Sequence, residues 1–313
     1  MEDRTLILGA CGQIGTELVT RLRKQLGNDK VVASDIRPPE DNKLGEGPFE
    51  LIDATDYSAL EDVIAHYEVH TVYLMAAMLS ATAEKFPMKA WNLNMNSLFN
   101  VLNLAKEQKI SKVFWPSSIA VFGPDTPEVA PQQGIIEPNT VYGISKLSGE
   151  HWCNYYCEKY NVDIRSIRYP GLISWKTAPG GGTTDYAIAI YKEALEQGTY
   201  KSYLKADSTL PMMYMDDAID ATLQLMNSDK AQRGKAYNIG SMSISPADME
   251  KSIQEHLPEF NCTYQPDFRQ PIADSWPSDV DDSDAKADWN WNPRFDLKKT
   301  TQLMLDSLRT LNS

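Results

Sequence analysis

Residues that bind metal ions or form disulfides are scarce in this sequence, which has four cysteines and four histidines among 313 residues. The scattered cysteines are typical of a protein in a reducing compartment: Cys11, Cys153, Cys157 and Cys262. The histidines form no ligand cluster: His66, His70, His151 and His256. We therefore predict no metal site and exclude zinc-dependent alcohol oxidation.

Two of these spacings allow a second interpretation. Cys153 and Cys157 would share a helix face and could bind a metal, but no third or fourth ligand is evident, so two small core residues are favoured. His66 and His70 also have helical spacing. The segment between them runs into a predicted strand at Thr71, so we expect both histidines at the surface.

Long apolar runs and excess positive charge are also missing. No segment approaches the roughly 20 apolar residues of a membrane-spanning helix, and residues 1–15 have no signal-peptide or transit-peptide profile. We expect a soluble, cytoplasmic protein. A net charge of −13 opposes binding to nucleic acid or to an anionic membrane, but a site for a small molecule can still be locally positive.

The composition is that of an ordinary folded protein, with 42% hydrophobic and 23% charged residues, which excludes wholesale disorder. A chain of this length can bury a large core. We predict one large domain and a smaller lobe.

A glycine-rich loop follows the first apolar segment, Thr5–Leu8, which is typical of a buried parallel strand. Helical periodicity begins directly after the loop. Glycines at a strand–helix junction allow a tight turn and let a pyrophosphate approach backbone N–H groups. The alternative is a glycine turn without a ligand. The predicted cofactor contacts in the loop are Gly9, Gly12, Gln13, Ile14 and Gly15.

An acid follows the second predicted strand: Asp35 lies twenty residues beyond Gly15. A carboxylate there can accept both ribose hydroxyls and would repel a 2′-phosphate, which favours NAD over NADP. Arg37 complicates this interpretation because a nearby arginine can accommodate that phosphate. We predict NAD as the cofactor.

Further alternation of strands and helices predicts a Rossmann-like, doubly wound parallel sheet of the α/β class. Asp53 and Ala54 follow the third strand, where they could contact the adenine; Asp53 could instead cap the next helix. Leu74 and Ala76 end the fourth strand, where small residues let a cofactor pass. Asn94, on a following helix, could contact cofactor or backbone, or be merely structural.

Tyr142 and Lys146 are four residues apart, which on a helix places both side chains on one face. A cationic lysine favours phenolate and lowers the pKa of the tyrosine. Moving that pKa from ~10 to about 7 needs roughly 4 kcal/mol, which lysine and a cationic cofactor ring together could supply. A phenolate there would be a general base for an alcohol. Ser117 and Ser118 place a hydroxyl at the end of the fifth strand, where doubly wound sheets carry their chemistry.

Together these segments resemble the extended short-chain dehydrogenase/reductase superfamily over most of the chain. The motifs are Gly9-x-x-Gly12-x-x-Gly15, Asp35, Leu74–Ala77, Asn94, Ser117–Gly123, Tyr142-x-x-x-Lys146 and Arg168–Gly171. The resemblance implies that Tyr142 is the base, that Lys146 binds the nicotinamide ribose and that Tyr169 lies at the cofactor. It selects Ser118, five residues before Gly123, to position the reacting oxygen.

The same resemblance implies a division of the chain. Residues 1–170 would form the NAD-binding domain with the catalytic residues. Residues 171–313 would form a smaller α/β lobe that mainly binds substrate and is partly interleaved with the first domain.

Narrower segments are similar to the short-chain L-threonine 3-dehydrogenases: Met78–Ala81, Arg168–Ser174, Gly180–Ala187 and Leu210–Met215. This similarity implies NAD-dependent oxidation of the threonine 3-hydroxyl to 2-amino-3-ketobutyrate. Ser80 and Thr183, with Thr184, would bind the amino or carboxylate group. The two threonines could instead cap a helix that begins near Asp185.

Residues 267–288 are acidic, proline-punctuated and poor in periodicity, which predicts an irregular surface loop; a lid closed by Trp276 is the alternative. Aromatic residues on the helix that carries Tyr142 predict an oligomer: Trp152, Tyr155, Tyr156 and Tyr160. The superfamily resemblance implies a homodimer joined by this helix and the helix at 91–107.

Two other functions fit the sequence less well. A nucleotide-sugar epimerase or dehydratase would share the scaffold. Ile119 and Ala120 replace the acidic pair of a dehydratase, and no basic anchor for a diphosphate is obvious, although Lys176 and Arg233 are candidates. A non-catalytic NAD-responsive binding protein would have little reason to combine Ser118, Tyr142 and Lys146.

Overall fold

The computed structural model describes residues 4–40, 43–178 and 180–311. The outermost residues of the two predicted regions, 1–3 and 312–313, lie outside the described residues. The strands are β1 (Arg4–Leu8), β2 (Val31–Asp35), β3 (Phe49–Leu51), β4 (Val69–Leu74), β5 (Lys112–Ser118), β6 (Val129–Ala130), β7 (Asp163–Tyr169), β8 (Gly171–Ile173), β9 (Thr199–Ser202), β10 (Leu210–Tyr214), β11 (Ala236–Asn238), β12 (Met242–Ile244), β13 (Asn261–Tyr264) and β14 (Asp279–Val280).

The α-helices alternate with these strands along most of the chain. They are α1 (Gln13–Leu26), α2 (Tyr57–Tyr67), α3 (Ser80–Lys85), α4 (Pro87–Lys106), α5 (Val141–Tyr160), α6 (Tyr186–Gln197), α7 (Met215–Asn227), α8 (Pro246–Gln254), α9 (Gln270–Asp274), α10 (Ser283–Trp289) and α11 (Leu297–Leu311). None of the helices in the described ranges is both long enough and apolar enough to cross a bilayer.

A seven-stranded parallel sheet organises the larger part of the molecule, in the order β11-β7-β5-β4-β1-β2-β3. The strand order reverses between β1 and β4, and ligands of such sheets bind at the carboxyl ends beside that point. Strand residues such as Leu6, Ile7 and Leu8 are fully buried because helices cover both faces. The predicted doubly wound α/β fold is confirmed.

The smaller lobe is built around the mixed sheet β12-β10-β8 and the pair β13-β9. Helices α6, α8 and α11 enclose its core, in which Tyr186, Tyr191 and Met249 are fully buried. Strand β11 adds to the edge of the seven-stranded sheet, and α7 packs on α1 through an Arg21–Asp220 ion pair of 2.6 Å.

The prediction of an irregular surface loop over residues 267–288 is wrong. This segment contains α9, β14 and α10; β14 pairs with β6, and Val280 and Ala285 are buried. Each element is too short to show a clear hydrophobic period, and contacts with distant residues stabilise it.

Candidate active site

The glycine loop joins β1 to α1 at the point where the strand order reverses. Gly9 has φ 83°, and a Cβ on it would lie 2.6 Å from the Ala76 nitrogen. A Cβ on Gly15 would lie 2.2 Å from the Gly9 carbonyl oxygen, so side chains are excluded at both positions. Gly12 caps α1 without a side-chain hydrogen bond, and the first turn carries no acid. The helix N-terminus is therefore suited to a pyrophosphate.

Asp35 ends β2 directly beneath this loop and is buried. Its two oxygens accept from the backbone N–H groups of Cys11, at 3.0 Å, and Arg37, at 3.3 Å. These bonds hold the carboxylate at the edge of the glycine loop, where a ribose would lie. The Arg37 side chain is exposed and lines the cavity described below.

Asp53 is exposed, and one of its oxygens accepts from both the N–H and the hydroxyl of Thr55, at 2.9 and 2.8 Å. It stabilises the turn before α2, whereas Asp56 is the residue that caps the helix. Ala54 is buried, with its carbonyl bound by the Asn100 amide. Neither Asp53 nor Ala54 lines the cavity.

The side-chain amide of Asn94 forms hydrogen bonds with other groups of the protein. Its Oδ1 accepts from the Met78 N–H at 2.8 Å, and its Nδ2 donates to the Met78 carbonyl and to Ser145 Oγ. It thereby joins the segment after β4 to α5, and it does not line the cavity described below. Leu74, at the end of β4, is buried, and Ala76 approaches Gly9, so both shape the floor through packing.

Ser118, Tyr142 and Lys146 meet at the carboxyl end of β5. Thr140 caps α5 with its hydroxyl, which fixes where the helix begins and so where Tyr142 lies. The Ser118 hydroxyl lies close enough to the Tyr142 phenol to lower its pKa. Lys146 Nζ donates to the Pro116 carbonyl and lies 5.5 Å from the centre of the Tyr142 ring.

Burial disfavours the charged forms of both Tyr142 and Lys146. It raises the pKa of Tyr142 well above the ordinary value, while the nearby Ser118 hydroxyl opposes the rise. It lowers the pKa of Lys146 to about 7. The protein's own side chains therefore do not produce the lowered tyrosine pKa that the sequence predicts, and further positive charge is needed beside the phenol.

Tyr169 ends β7 and lines the cavity, with its hydroxyl bonded to Thr222 Oγ1 on α7 and its ring packed edge-on against Phe114. Tyr169 therefore contributes an apolar wall.

Ser80 and Thr183 form a buried pair although they are 103 residues apart. Their hydroxyl oxygens are 2.9 Å apart, and the Thr183 N–H donates to Ser80 Oγ at 3.1 Å. Tyr203 donates to the Thr183 carbonyl. Neither Thr183 nor Thr184 caps α6 with its side chain, since Asp185 occupies the cap position. Ser80, Thr183 and Thr184 all line the cavity.

Two further cavity residues were not assigned to substrate from the sequence. Asp185 accepts from the N–H groups of Gly181 and Gly182, both at 2.8 Å, and burial raises its pKa. Trp276 also lines the cavity, and its indole Nε1 is buried with no hydrogen-bond partner among the described residues. No spacing in the sequence connects either residue to Tyr142.

A single cavity of about 280 Å³ brings these groups together. Its lining includes the glycine loop, Ser118, Tyr142 and Lys146, and the pair Ser80 and Thr183. The loop that excludes Cβ atoms, the uncapped helix N-terminus and the carboxylate of Asp35 together fit a dinucleotide.

Metal-ligand clusters are absent from the described residues. Cys153 is buried in the core and Cys157 is half-buried, without a disulfide. His66 is exposed on α2, as expected for a surface residue, whereas His70 is half-buried in β4.

Comparisons with known proteins agree with this geometry. Residues 5–240 match the NAD dependent epimerase/dehydratase family. An uncharacterized epimerase/dehydratase of Staphylococcus saprophyticus is 48% identical over 310 residues, which span 97% of each chain.

Two solved structures are similar over nearly the whole chain. The holo form of a GalE-like L-threonine dehydrogenase from Cupriavidus necator has a TM-score of 0.94 and 49% identity, covering 97% of this chain and 99% of that chain. A monomeric L-threonine 3-dehydrogenase from a metagenome has a TM-score of 0.95 and 48% identity, covering 99% of this chain and 100% of that chain. The resemblance inferred from the sequence is confirmed.

Proposed function

Since the chain belongs to the NAD dependent epimerase/dehydratase family, it is an NAD-dependent enzyme, and we propose that it oxidises the 3-hydroxyl of L-threonine to give 2-amino-3-ketobutyrate. The observation that carries this proposal is the buried pair Ser80 and Thr183 in the same cavity as Ser118, Tyr142 and Lys146. The similarity to solved L-threonine dehydrogenases supports it.

In the proposed reaction, Tyr142 Oη takes the proton of the substrate hydroxyl while Ser118 Oγ holds the same oxygen. NAD⁺, when bound, would supply the acceptor for the hydride on the third carbon of the substrate. The substrate leaves as a ketone, and the proton leaves through Tyr142.

Lys146 supports this step in two ways. Its ammonium lies beside the Tyr142 ring, where it favours the phenolate, and it has donors left for a nicotinamide ribose besides the bond to Pro116. Because burial opposes ionisation of Tyr142, the positive charge of the oxidised cofactor adds to that of Lys146. Proton removal would therefore be favoured only in the loaded enzyme.

We propose that residues 1–170 carry the cofactor site and the catalytic residues, and that residues 171–313 mainly bind substrate. The hydroxyls of Ser80, Thr183 and Thr184 would bind the polar groups of the amino acid. Trp276 would close the cavity, and the substrate carboxylate would supply the acceptor that its indole N–H lacks within the described structure.

Asp35 would bind the ribose hydroxyls and Arg37 would flank them, with Tyr169 along the cofactor. Asp53 and Ala54 would lie near the adenine. Leu74, Ala76 and Asn94 would shape the cofactor site through packing and backbone contacts rather than by direct hydrogen bonds to the cofactor.

A nucleotide-sugar reaction is less well supported because neither candidate anchor for a diphosphate is available. Lys176 is paired with Glu17. Arg233 lies near Asp163, at the beginning of β7, whereas the site lies at the end of that strand. Ile119 and Ala120 are buried apolar residues, so the acidic pair of a dehydratase is missing.

We propose a cytoplasmic homodimer, with neither nucleic acid nor membrane as a partner. The large exposed aromatics Trp152 and Tyr155, about 40% and 45% exposed, lie on α5, which packs against α4. These two helices would form the interface. One similar structure is of a monomeric enzyme, so light scattering at working concentration is the direct test, and a monomer would refute the dimer.

The experiment that tests the reaction is NADH formation from NAD⁺ and L-threonine, with UDP-sugars assayed separately. Threonine-dependent NADH that disappears in Tyr142→Phe supports the substrate and the base together. Conversion of UDP-sugars without threonine turnover would refute the proposal in favour of an epimerase. If no substrate is turned over, a non-catalytic NAD-responsive binding protein would be favoured.

A further inference from the structure

Glu150 joins the catalytic helix to two strands of the large sheet, and the proposed mechanism does not use it. Both of its oxygens accept from the Arg168 guanidinium, at 2.8 and 2.7 Å, and Oε1 also accepts from the Ser117 hydroxyl at 2.5 Å. All three side chains are buried. A bidentate pair of this kind fixes both the distance and the orientation of its partners.

Arg168, the ion-pair partner of Glu150, makes further hydrogen bonds on the side away from Glu150. The remaining guanidinium nitrogen of Arg168 donates to the Gln132 carbonyl and to Asn238 Oδ1, at 3.1 and 3.2 Å. The side chain of Gln132 is in turn bound to β11, with Nε2 on the Ala236 carbonyl and Oε1 on the Asn238 N–H. The Arg168 end of the network therefore has little freedom to move.

Each contact of Glu150 is next to a residue of the active site. Ser117 precedes Ser118 on β5 and is paired in register with Arg168 on β7, which precedes Tyr169. On α5, Glu150 follows Lys146 by one turn and Tyr142 by two, so the three share one helix face. A shift of Glu150 would move Tyr142 relative to Ser118.

Few charged or titratable groups face Glu150. Lys146 and the thiol of Cys153 face it from α5, and Arg168 faces it from β7. The groups that β5, β11 and the loop before α5 contribute to the network are uncharged: Ser117, Asn238 and Gln132. Glu150 is therefore the counter-charge to two buried cations, and its removal leaves them unbalanced.

We infer that Glu150 is a positioning residue for proton transfer: with Arg168 and Ser117 it fixes α5 against β5 and balances the charge of Lys146, so that Tyr142 meets Ser118 as a base. This inference rests on the proposed function for its substrate, but not for its geometry. Cys153 and Glu150 both raise the pKa of Lys146 against the effect of burial. Without Glu150, Lys146 would lose its proton at lower pH and would stabilise the Tyr142 phenolate less.

The test compares Glu150→Gln, which keeps the size and removes the charge, with Glu158→Gln on the exposed side of the same helix. In the Glu150→Gln variant we expect kcat with threonine to fall on the order of tenfold to a hundredfold, because a small displacement at the reacting atoms has such an effect. The acid limb of the kcat/KM profile should move to higher pH by roughly half a unit or more. Glu158→Gln should match wild type in both quantities.

A second readout does not depend on turnover. The tyrosinate absorbance of wild type minus that of Tyr142→Phe follows the ionisation of Tyr142 with NAD⁺ bound. The tyrosinate absorbance of Glu150→Gln minus that of Glu150→Gln/Tyr142→Phe follows the ionisation of Tyr142 when the Glu150 charge is absent. The midpoint of this second titration should lie at higher pH than that of the first. If wild type does not oxidise threonine, the proposed function fails, and this titration still decides the role of Glu150.

A purely structural role would lower thermal stability but leave the midpoint and the pH profile of the folded protein unchanged, and that result would overturn the inference. If the Glu150→Gln variant does not fold, the Glu150→Asp variant tests the role of Glu150 instead. It keeps the charge and shortens the reach, so kcat should fall while the pH profile stays that of wild type. Wild-type kcat in the Glu150→Asp variant would also overturn the inference.

Discussion

The part of the cavity that we propose binds the cofactor, its cofactor end, and the part that we propose binds threonine, its substrate end, are built in opposite ways. Gly9, Gly12, Gly15 and Asp35 come from one β–α–β unit, so their geometry follows from consecutive elements. Ser80 and Thr183 come from segments 103 residues apart, and Trp276 comes from a third.

The difference shows which kind of site can be predicted from the spacing of residues in the sequence. A strand followed by a tight turn and a helix imposes fixed intervals on the residues that approach a dinucleotide. The substrate end is defined by which loops the lobe places against α3, and no interval in the chain encodes that contact. The two ends should therefore respond to mutation separately, except at Tyr142, which lies between them.

The largest expected effect is at Tyr142, where the two ends meet. Tyr142→Phe should lower kcat on the order of 10²–10⁴-fold, because the phenol oxygen that accepts the substrate proton is lost. Binding of NAD⁺ and the circular dichroism spectrum should be unchanged. A variant with more than about a tenth of wild-type kcat would show that Tyr142 is not the base.

The cofactor end alone should respond to Gly15→Ala. The added Cβ would meet the Gly9 oxygen at 2.2 Å, so the loop must shift away from the pyrophosphate. We expect NAD⁺ affinity, measured by calorimetry, to fall on the order of a hundredfold.

The matched control for this variant is Gly240→Ala, whose Cβ would meet only ordinary contacts, the nearest at 3.5 Å. It should bind NAD⁺ as wild type does. Equal affinities for Gly15→Ala and Gly240→Ala would contradict the assignment of the loop to the cofactor.

The substrate end alone should respond to Thr183→Val, which keeps the shape and removes the hydroxyl that faces Ser80. Because a polar site that loses one partner discriminates by about 1–3 kcal/mol, kcat/KM for threonine should fall roughly tenfold to a hundredfold. The Kd for NAD⁺ should not change.

Thr184→Val is the variant for comparison, because Thr184 also lines the cavity but has no hydrogen bond to Ser80. Its effect on kcat/KM should be smaller than that of Thr183→Val, because its loss leaves the buried Ser80–Thr183 pair intact. If Thr184→Val were the more damaging of the two, the assignment of the substrate hydroxyls would be reversed.

The smallest expected effect is on stability, at Lys146. Its pKa is about 7 in the folded protein and ordinarily 10.5, so stability is lost as pH falls from 10.5 towards 7. Lys146→Met should therefore raise the Tm of the ligand-free protein at pH 7 by about 4 °C or more.

This gain in Tm should shrink as the pH approaches 10.5, since Lys146 is then neutral in the folded protein and loses its charge in the unfolded chain as well. Lys159→Met, at an exposed position of the same helix, provides the baseline for the melting curves. A gain in Tm that does not depend on pH would show that the change is one of packing rather than of a buried charge.

Much of the large sheet was predictable because its strands are uniformly apolar and its helices periodic. The segment 267–288 was not, since α9, β14 and α10 are short and depend on distant contacts such as the pairing of β14 with β6. The sequence left open whether Asn94 contacts the cofactor, contacts the backbone or is merely structural, and only the structure shows that its polar atoms bind Met78 and Ser145.

The sequence by itself determined the doubly wound fold, the glycine loop and the spacing of Tyr142 and Lys146, because each follows from local geometry along one strand or helix. Tertiary structure alone decided the rest. It paired Ser80 with Thr183, brought Trp276 to the cavity and set Glu150 between Ser117 and Arg168. It also raised the pKa of Tyr142, because burial acts through everything packed around a group and not through its neighbours in the chain.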